Sequence, residues 1–203
     1  MAVLVCCRGI MDLMIDKTAK EAIDKLDIKV DWPIIGRLYD EEYPFEGYDH
    51  IRYTARAIIE NEEGKLGFLH IKGEDYFGPR DHLETVGGGL EQDEYLDDAI
   101  AREIKEETGL ECEDIQILGS IYDAYNLIKR ITFSTFFYCK VNTSSYTQMH
   151  RTQEEQILIS EVLWLDPNEA LDWLTNRHEN KVDRLVQQRD LMALKYYLEL
   201  CNG

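Results

Sequence analysis

Positive charge is scarce in this sequence. In 203 residues, 22 Lys and Arg stand against 40 Asp and Glu, a net charge of −18. A surface this acidic excludes functions that run on neutralising the phosphates of a duplex, so no nucleic-acid partner is expected. It leaves room for a small anionic substrate, provided a metal ion supplies positive charge locally. Cysteine is also sparse. The five cysteines, Cys6, Cys7, Cys112, Cys139 and Cys201, show no CxxC spacing, no even set and no zinc-type pairing with histidine. They read as reduced thiols of a cytoplasmic protein rather than a disulfide framework. Histidines 50, 70, 82, 150 and 178 are scattered and are given no metal role. No long apolar run is present. The start, MAVLVCCRGIMDLM, is broken by Arg8, has no basic segment before it and falls short of a membrane span. It reads as neither signal peptide nor anchor, and no membrane partner is expected. Repeats, low-complexity runs and flexible linkers are missing as well.

The remaining composition is ordinary, 44% hydrophobic and 31% charged, enough for a sizeable core in one domain with extra elements. Residues 18–28 carry apolar side chains at helical spacing and predict a short helix. Residues 31–50 read as an extended, aromatic lead-in. Residues 51–60 and 65–72 predict a β-hairpin about the turn NEEG, and 73–82 a loop with Gly, Pro and charges. A short strand, LETV, runs into three glycines. A helix is expected from near Gln92, then strands over 114–125 and 130–141, a polar loop over 142–155 and a strand over 159–165. Asp166 and Pro167 form an N-cap and first helical residue, and 179–200 make a long amphipathic helix. Strands and helices alternate around one core, an α/β arrangement.

The stretch GGGLEQDEYLDDAIAREIKEETGL, residues 87–110, concentrates the chemistry. Glu103, Glu106 and Glu107 fall three and four positions apart, on one side of a helix, where like charges destabilise it by roughly 0.2–0.5 kcal/mol per pair. They lie beside the core stripe of Leu96, Ala99, Ile100 and Ile104. Clustered carboxylates become favourable if they share a hard cation, and Mg²⁺ takes oxygen ligands from carboxylates and substrate phosphates. Gly87, Gly88 and Gly89 would let backbone approach a ligand without Cβ atoms in the way, and would aim helix N-terminal amides at an anion.

From Gly88 the chain gives Gly, five residues, Glu94, seven residues, then Arg102-Glu103-Ile104-Lys105-Glu106-Glu107-Thr108-Gly109-Leu110. This resembles the Nudix box, Gly-x5-Glu-x7-Arg-Glu-U-x-Glu-Glu-x-Gly-U with U aliphatic, at all nine specified positions. Chance gives such a match roughly once in ten million chains or fewer, which excludes coincidence. The resemblance implies an α/β/α sandwich with a mixed β-sheet. It implies a hydrolase domain over 46–175. It does not explain the ends of the chain, which the residue pattern assigns to an N-terminal extension with a short helix over 1–45 and a C-terminal amphipathic helix over 176–203 packed on the domain. Pairing of that helix with a second copy of the chain, as a homodimer, stays open. Glu103, Glu106 and Glu107 would be ligands of Mg²⁺, with Mn²⁺ as substitute. Gly88 would add a backbone ligand, Glu94 would stand near the metal, and Arg102 would orient a glutamate. The expected reaction is hydrolysis of a phosphoanhydride in a nucleoside diphosphate linked to another moiety. A nucleotide sugar or an ADP-ribose-like compound is favoured over a dinucleoside polyphosphate or a nucleoside triphosphate. The rival reading is a binding module of the same fold that senses a nucleotide without cleaving it; its completeness as a glutamate set argues for catalysis.

One departure is visible: Val86 stands where many relatives have proline. The patterns of coenzyme A hydrolases and NADH pyrophosphatases are absent, as is a proline near position 125 that often accompanies ADP-ribose activity. Gly87, Gly89, Arg80 and Tyr125 are candidate substrate contacts, with His82 beside Arg80. Glu154 and Glu155 are candidate general bases. Tyr122, Phe136 and Tyr138 are either base-stacking surfaces or core.

Overall fold

The protein is described by a computed structural model covering residues 18–26, 28–176 and 180–203. The expectations for the segment before residue 18, and for Cys6, Cys7 and His178, lie outside the described residues. Among these residues, no helix is long and apolar enough to cross a membrane.

A short helix α1 (Ala19–Asp24) is capped by the Thr18 hydroxyl, which accepts from the Glu21 amide. The sheet is mixed. β1 (Ile34–Tyr39) runs parallel to β6 (Cys112–Tyr125), which is antiparallel to β7 (Arg130–Val141). β7 in turn runs parallel to β2 (His50–Glu60) over the whole length of β2. On its other edge β2 pairs with β3 (Leu66–Asp75) at Ile59 and Glu60 alone, then with β5 (Val86–Gly89) over Thr54–Ala57. β3 is flanked by β4 (Gly78–Glu84) and β8 (Ile159–Leu165), both antiparallel.

Period-two alternation in β2 divides the core. Ala55, Ala57 and Ile59 face α2 (Leu96–Thr108), meeting Ala99, Ile100 and Ile104 together with Val86, Phe137 and Cys139. Ile58 faces the other way. It packs with Phe68, Leu83 and Phe136 against α4 (Pro167–Asn176) and α5 (Lys181–Asn202) through Leu174, Ala193, Leu194 and Tyr197. α1 closes the far end of the sheet over Tyr48, Tyr122, Ala124 and Phe133. The result is an α/β/α sandwich with terminal helices, and the apolar side of the C-terminal helix is buried on the sheet.

Five local expectations are revised. The lead-in over 31–50 contains β1, hidden because a six-residue edge strand carries no clear alternation. The β2–β3 hairpin is only two pairs long, since β2 gives most of that edge to β5. The loop over 73–82 is a tight hairpin between β3 and β4, with Asp75 opposite Gly78. The Asp75 carboxylate accepts from the Phe77 amide there, so the turn is held by a charged side chain. α2 begins at Leu96 rather than near Gln92, because Asp93 adopts φ 60 and the Glu94 carboxylate accepts from the Glu91 amide, holding a turn. The polar loop over 142–155 gives way to a short helix α3 (Gln153–Leu158), started by a reciprocal cap between Thr152 and Glu155.

Leu194 is fully buried between α5 and the sheet. Leu194→Ala is expected to destabilise the protein by about 2–5 kcal/mol, read as a lower urea midpoint with an unchanged slope.

Candidate active site

β5 and α2 build the site together. Gly87 has φ 133, and a Cβ there would lie 2.2 Å from the Ala55 carbonyl oxygen, so no other residue fits this approach to β2. Its amide donates to Glu107 Oε2 at 2.8 Å. At Gly88 a Cβ would lie 2.6 Å from Glu103 Oε1, so the glycine opens the space that the carboxylate fills. The glycines are therefore a strand, not a loop presenting helix amides, and six residues separate Gly89 from the first residue of α2.

Glu103 and Glu107 are buried, at 7% and 5% exposure, and Glu106 is half-buried. Burial pushes the Glu107 carboxyl well above the usual carboxylate range, against the Gly87 hydrogen bond. Burial raises Glu103 as well, while Arg102 pulls the other way. Arg102 is the shared counter-ion. It donates to Glu94 at 2.7 and 2.9 Å, to Glu103 at 2.9 Å, to Glu106 at 3.1 Å and to the Gly89 carbonyl at 3.2 Å. The Glu94 pair leads in holding this guanidinium protonated. The donor set is carboxylate oxygen, which suits a hard divalent cation. Among the described residues the carboxylates do not already converge as a closed metal shell.

The segment after β7 folds across the end of α2. The Thr147 amide donates to the Gly109 carbonyl at 2.7 Å, and the His150 amide to the Glu106 carbonyl at 3.0 Å. Arg151 Nε donates to the Glu107 carbonyl at 2.8 Å. This delivers α3, whose Glu155 adds its negative charge to those felt by Glu103 and Glu107. The Glu155 carboxylate also accepts from the Thr152 amide at 2.7 Å. Glu154 lies elsewhere, on the wall of a cleft.

That cleft, about 570 Å³, runs between the sheet and α5. Its walls include Arg56, Arg80, His82, Glu84, Tyr125, Arg130 and Arg189. Arg80 is already committed, donating to Asp75 at 2.8 and 3.1 Å and to Asp183, and lying over the Phe77 ring. His82 is buried, its Nε2 2.8 Å from Glu84 Oε1. Burial would raise Glu84, but this contact and the charges of Arg56 and Arg189 hold it well below the usual range. Tyr125 carries Arg130 over its ring at 5.4 Å. Tyr122 and Phe136 are core residues, and Tyr138 stacks on Tyr197, so none of the three is free to stack a base. A second hollow of about 660 Å³ takes in Arg52, Tyr53, Gly89, Glu94, Tyr95 and Phe133.

Sequence reasoning missed Arg52, Arg56, Arg130 and Arg189. The alternation in β2 that puts Ala55 and Ala57 on one face puts Arg52 and Arg56 on the other, a signal that was available. Arg189 could not be found, since it lies on the flank of an amphipathic helix. Sequence reasoning also missed Asp190, fully buried on α5, which accepts from the Thr85 amide at 2.7 Å and the Thr85 hydroxyl at 3.1 Å. Arg56 donates to the Thr85 carbonyl at 3.0 Å, so the residue that joins β4 to the glycine strand is held from both sides.

The NUDIX domain family model matches residues 50–186. An RNA pyrophosphohydrolase of Hydrogenovibrio crunogenus (strain DSM 25203 / XCL-2) is 35% identical over 88 residues, 41% of this chain and 48% of that protein. The chain thus spans about half the length of that curated relative. Among solved structures, a MutT protein from Methanosarcina mazei Go1 aligns with TM-score 0.53 and 18% identity, over 74% of this chain and 95% of that one. A protein described as an ADP compounds hydrolase aligns with TM-score 0.56 and 17% identity, over 75% and 74%. At these identities the structures share the fold.

Burial pushes the Asp123 carboxyl, fully enclosed beneath the cleft, up to about 6 from 3.8, against the pull of Arg189, Arg56 and Arg130. The folded state keeps this proton to higher pH than the unfolded chain does. Its contribution to stability is complete below the unfolded value and is lost as pH rises through about 6. Asp123→Asn is therefore expected to gain up to about 3 kcal/mol on the wild type at neutral pH and much less in acid. Urea titrations at two pH values measure this; a constant difference would contradict it.

Proposed function

The chain belongs to the NUDIX family, and from that premise we propose that it is a divalent-cation-dependent hydrolase. It cuts a phosphoanhydride in a nucleoside diphosphate linked to another moiety. The observation that carries this reading is the burial of Glu103 and Glu107 against the glycine strand, with carboxyls pushed up by burial. Such a pair is stabilised by taking up positive charge.

Glu103, Glu106 and Glu107, with the Gly88 carbonyl, would hold Mg²⁺ or Mn²⁺. When bound, the cation neutralises the diphosphate and acidifies water for attack on phosphorus. Arg102 keeps Glu103 and Glu106 on one side of α2 and ties them to Glu94, so the carboxylates are oriented before substrate arrives. The Gly87 amide fixes the Glu107 carboxylate through Oε2, which leaves Oε1 uncommitted by that bond. Glu155, whose charge reaches Glu103 and Glu107, is the better placed of the two loop glutamates to take a proton from water. The hydrolase unit runs over 46–175, and α5 walls its cleft.

The substrate is a nucleotide sugar or an ADP-ribose-like compound. The fold likeness to a protein described as an ADP compounds hydrolase supports a nucleoside diphosphate derivative. A net charge of −18 opposes a long polyanion such as RNA, whatever the name of the relative that shares 88 residues.

The test is a screen of nucleoside diphosphate derivatives with Mg²⁺, reading phosphate after coupling to a phosphatase. Glu103→Gln keeps the size of the side chain and removes its charge. It is expected to lower kcat by roughly 10²–10³ through lost transition-state charge stabilisation, while calorimetry shows weaker Mg²⁺ binding. Label from ¹⁸O water should enter one phosphorylated product. Tight nucleotide binding without turnover would point instead to a sensor.

A further inference from the structure

In a protein with 22 basic residues and a net charge of −18, the cleft between the sheet and α5 gathers Arg56, Arg130 and Arg189 onto one floor. They come from three elements, β2, β7 and α5. Their pairing is incomplete. Arg56 donates through Nη1 to the Thr85 carbonyl, and Arg189 through Nε to Asp190 at 2.7 Å. Arg56 Nε, Arg130 Nε and Arg189 Nη2 are buried without an acceptor among the described residues. Arg189 itself is 3% exposed, so water does not make good the deficit. Buried donors left unpaired are rare in folded proteins and call for an explanation.

The neighbouring carboxylates do not supply one. Asp190 is taken up by Thr85 and Arg189 Nε, and Glu84 by His82, with Arg56 Nη1 no nearer than 3.5 Å. All three arginines act on Asp123, yet its closest approach, to Arg189 Nη1, is 3.8 Å, beyond hydrogen-bond distance. Asp123 balances charge without satisfying donors. Arg52, on the same side of β2 as Arg56, lines the second hollow with Gly89 and Glu94, and it senses the charges of Arg130, Arg56 and Glu103.

We propose that Arg56, Arg130 and Arg189 form a subsite for a phosphoryl group of the ligand other than the one attacked at the carboxylate cluster. Donors from three elements suit a tetrahedral phosphoryl group better than a planar carboxylate, and guanidinium forks match phosphate oxygens. This rests on the cleft being the place where the nucleotide binds. It requires of the substrate a second phosphoryl group beside the one attacked, as the anhydride of a nucleoside diphosphate derivative provides.

The experiment measures binding in chelator, so that turnover plays no part. Adenosine monophosphate is compared with a methylene-bridged adenosine triphosphate analogue that cannot be hydrolysed, and inorganic phosphate is titrated separately. The wild type should bind the analogue at least roughly tenfold more tightly than the monophosphate, and Arg130→Gln should erase most of that gain. Arg130 makes no hydrogen bond that folding depends on; should this variant misfold, Arg130→Lys keeps the charge and loses the fork. An equal gain in variant and wild type overturns the subsite, as does binding of inorganic phosphate with no gain between the nucleotides. Hydrolysis found without an arginine-dependent gain refutes the subsite and leaves the hydrolase reading standing. An arginine-dependent gain without hydrolysis does the reverse.

Discussion

Two carboxylates pressed against a glycine strand set the terms for everything around them. Glu103 and Glu107 are buried on α2, and burying an ionised carboxylate costs several kcal/mol unless charge or hydrogen bonds compensate. The compensation present is partial. Gly87 donates one amide to Glu107, and Arg102 shares its guanidinium among Glu94, Glu103 and Glu106. Both carboxyls stay raised. The strand must be glycine because carboxylate and backbone need the space a Cβ would take. The helix must end at Gly109, whose carbonyl receives Thr147 as the chain turns back over the cluster. Each departure from ordinary local preference in this region follows from holding anions where water is excluded.

The sheet face toward α5 has two characters. At one end Ile58, Phe68 and Phe136 meet Leu194 and Tyr197 in a dry contact. At the other, Thr54 bonds to Ser134, Arg56 to Thr85 and Asp190 to Thr85, and the space between sheet and helix stays open. The apolar end supplies adhesion, and the polar end keeps the helix from collapsing onto the cleft. The C-terminal helix α5 is thus a wall of the cleft as well as a cover of the core.

Legibility in the sequence followed interaction range. The carboxylate helix was readable because its glutamates are neighbours at helical spacing and its spacing from Gly88 is a fixed pattern. Strands β2, β6 and β7 were readable because they are long and rich in β-branched and aromatic residues. β1 was not, since its strand character comes from pairing with β6, more than 80 positions away in the register Ile34 with Ser120. The β3–β4 hairpin was masked by charge. Its exposed positions carry Glu74 and Asp81, which a local reading assigns to a loop. The arginine floor was least legible. Arg56, Arg130 and Arg189 are ordinary residues at distant positions, and only the parallel pairing of β2 with β7 and the docking of α5 bring them together.

The grip of Asp190 on Thr85 spans 105 residues of chain. Thr85 leads directly into the glycine strand, so that strand is braced by a residue made long after it. During synthesis the sheet, the carboxylate helix and the glycines all leave the ribosome before their brace does. Pairing over such separations is slow to form, and until α5 docks the Thr85 amide and the floor of the cleft face water. A nascent chain would therefore carry every residue of the carboxylate cluster and still lack one wall of the cleft. Closure of the cleft would come as a single event, once α5 has been made and has docked.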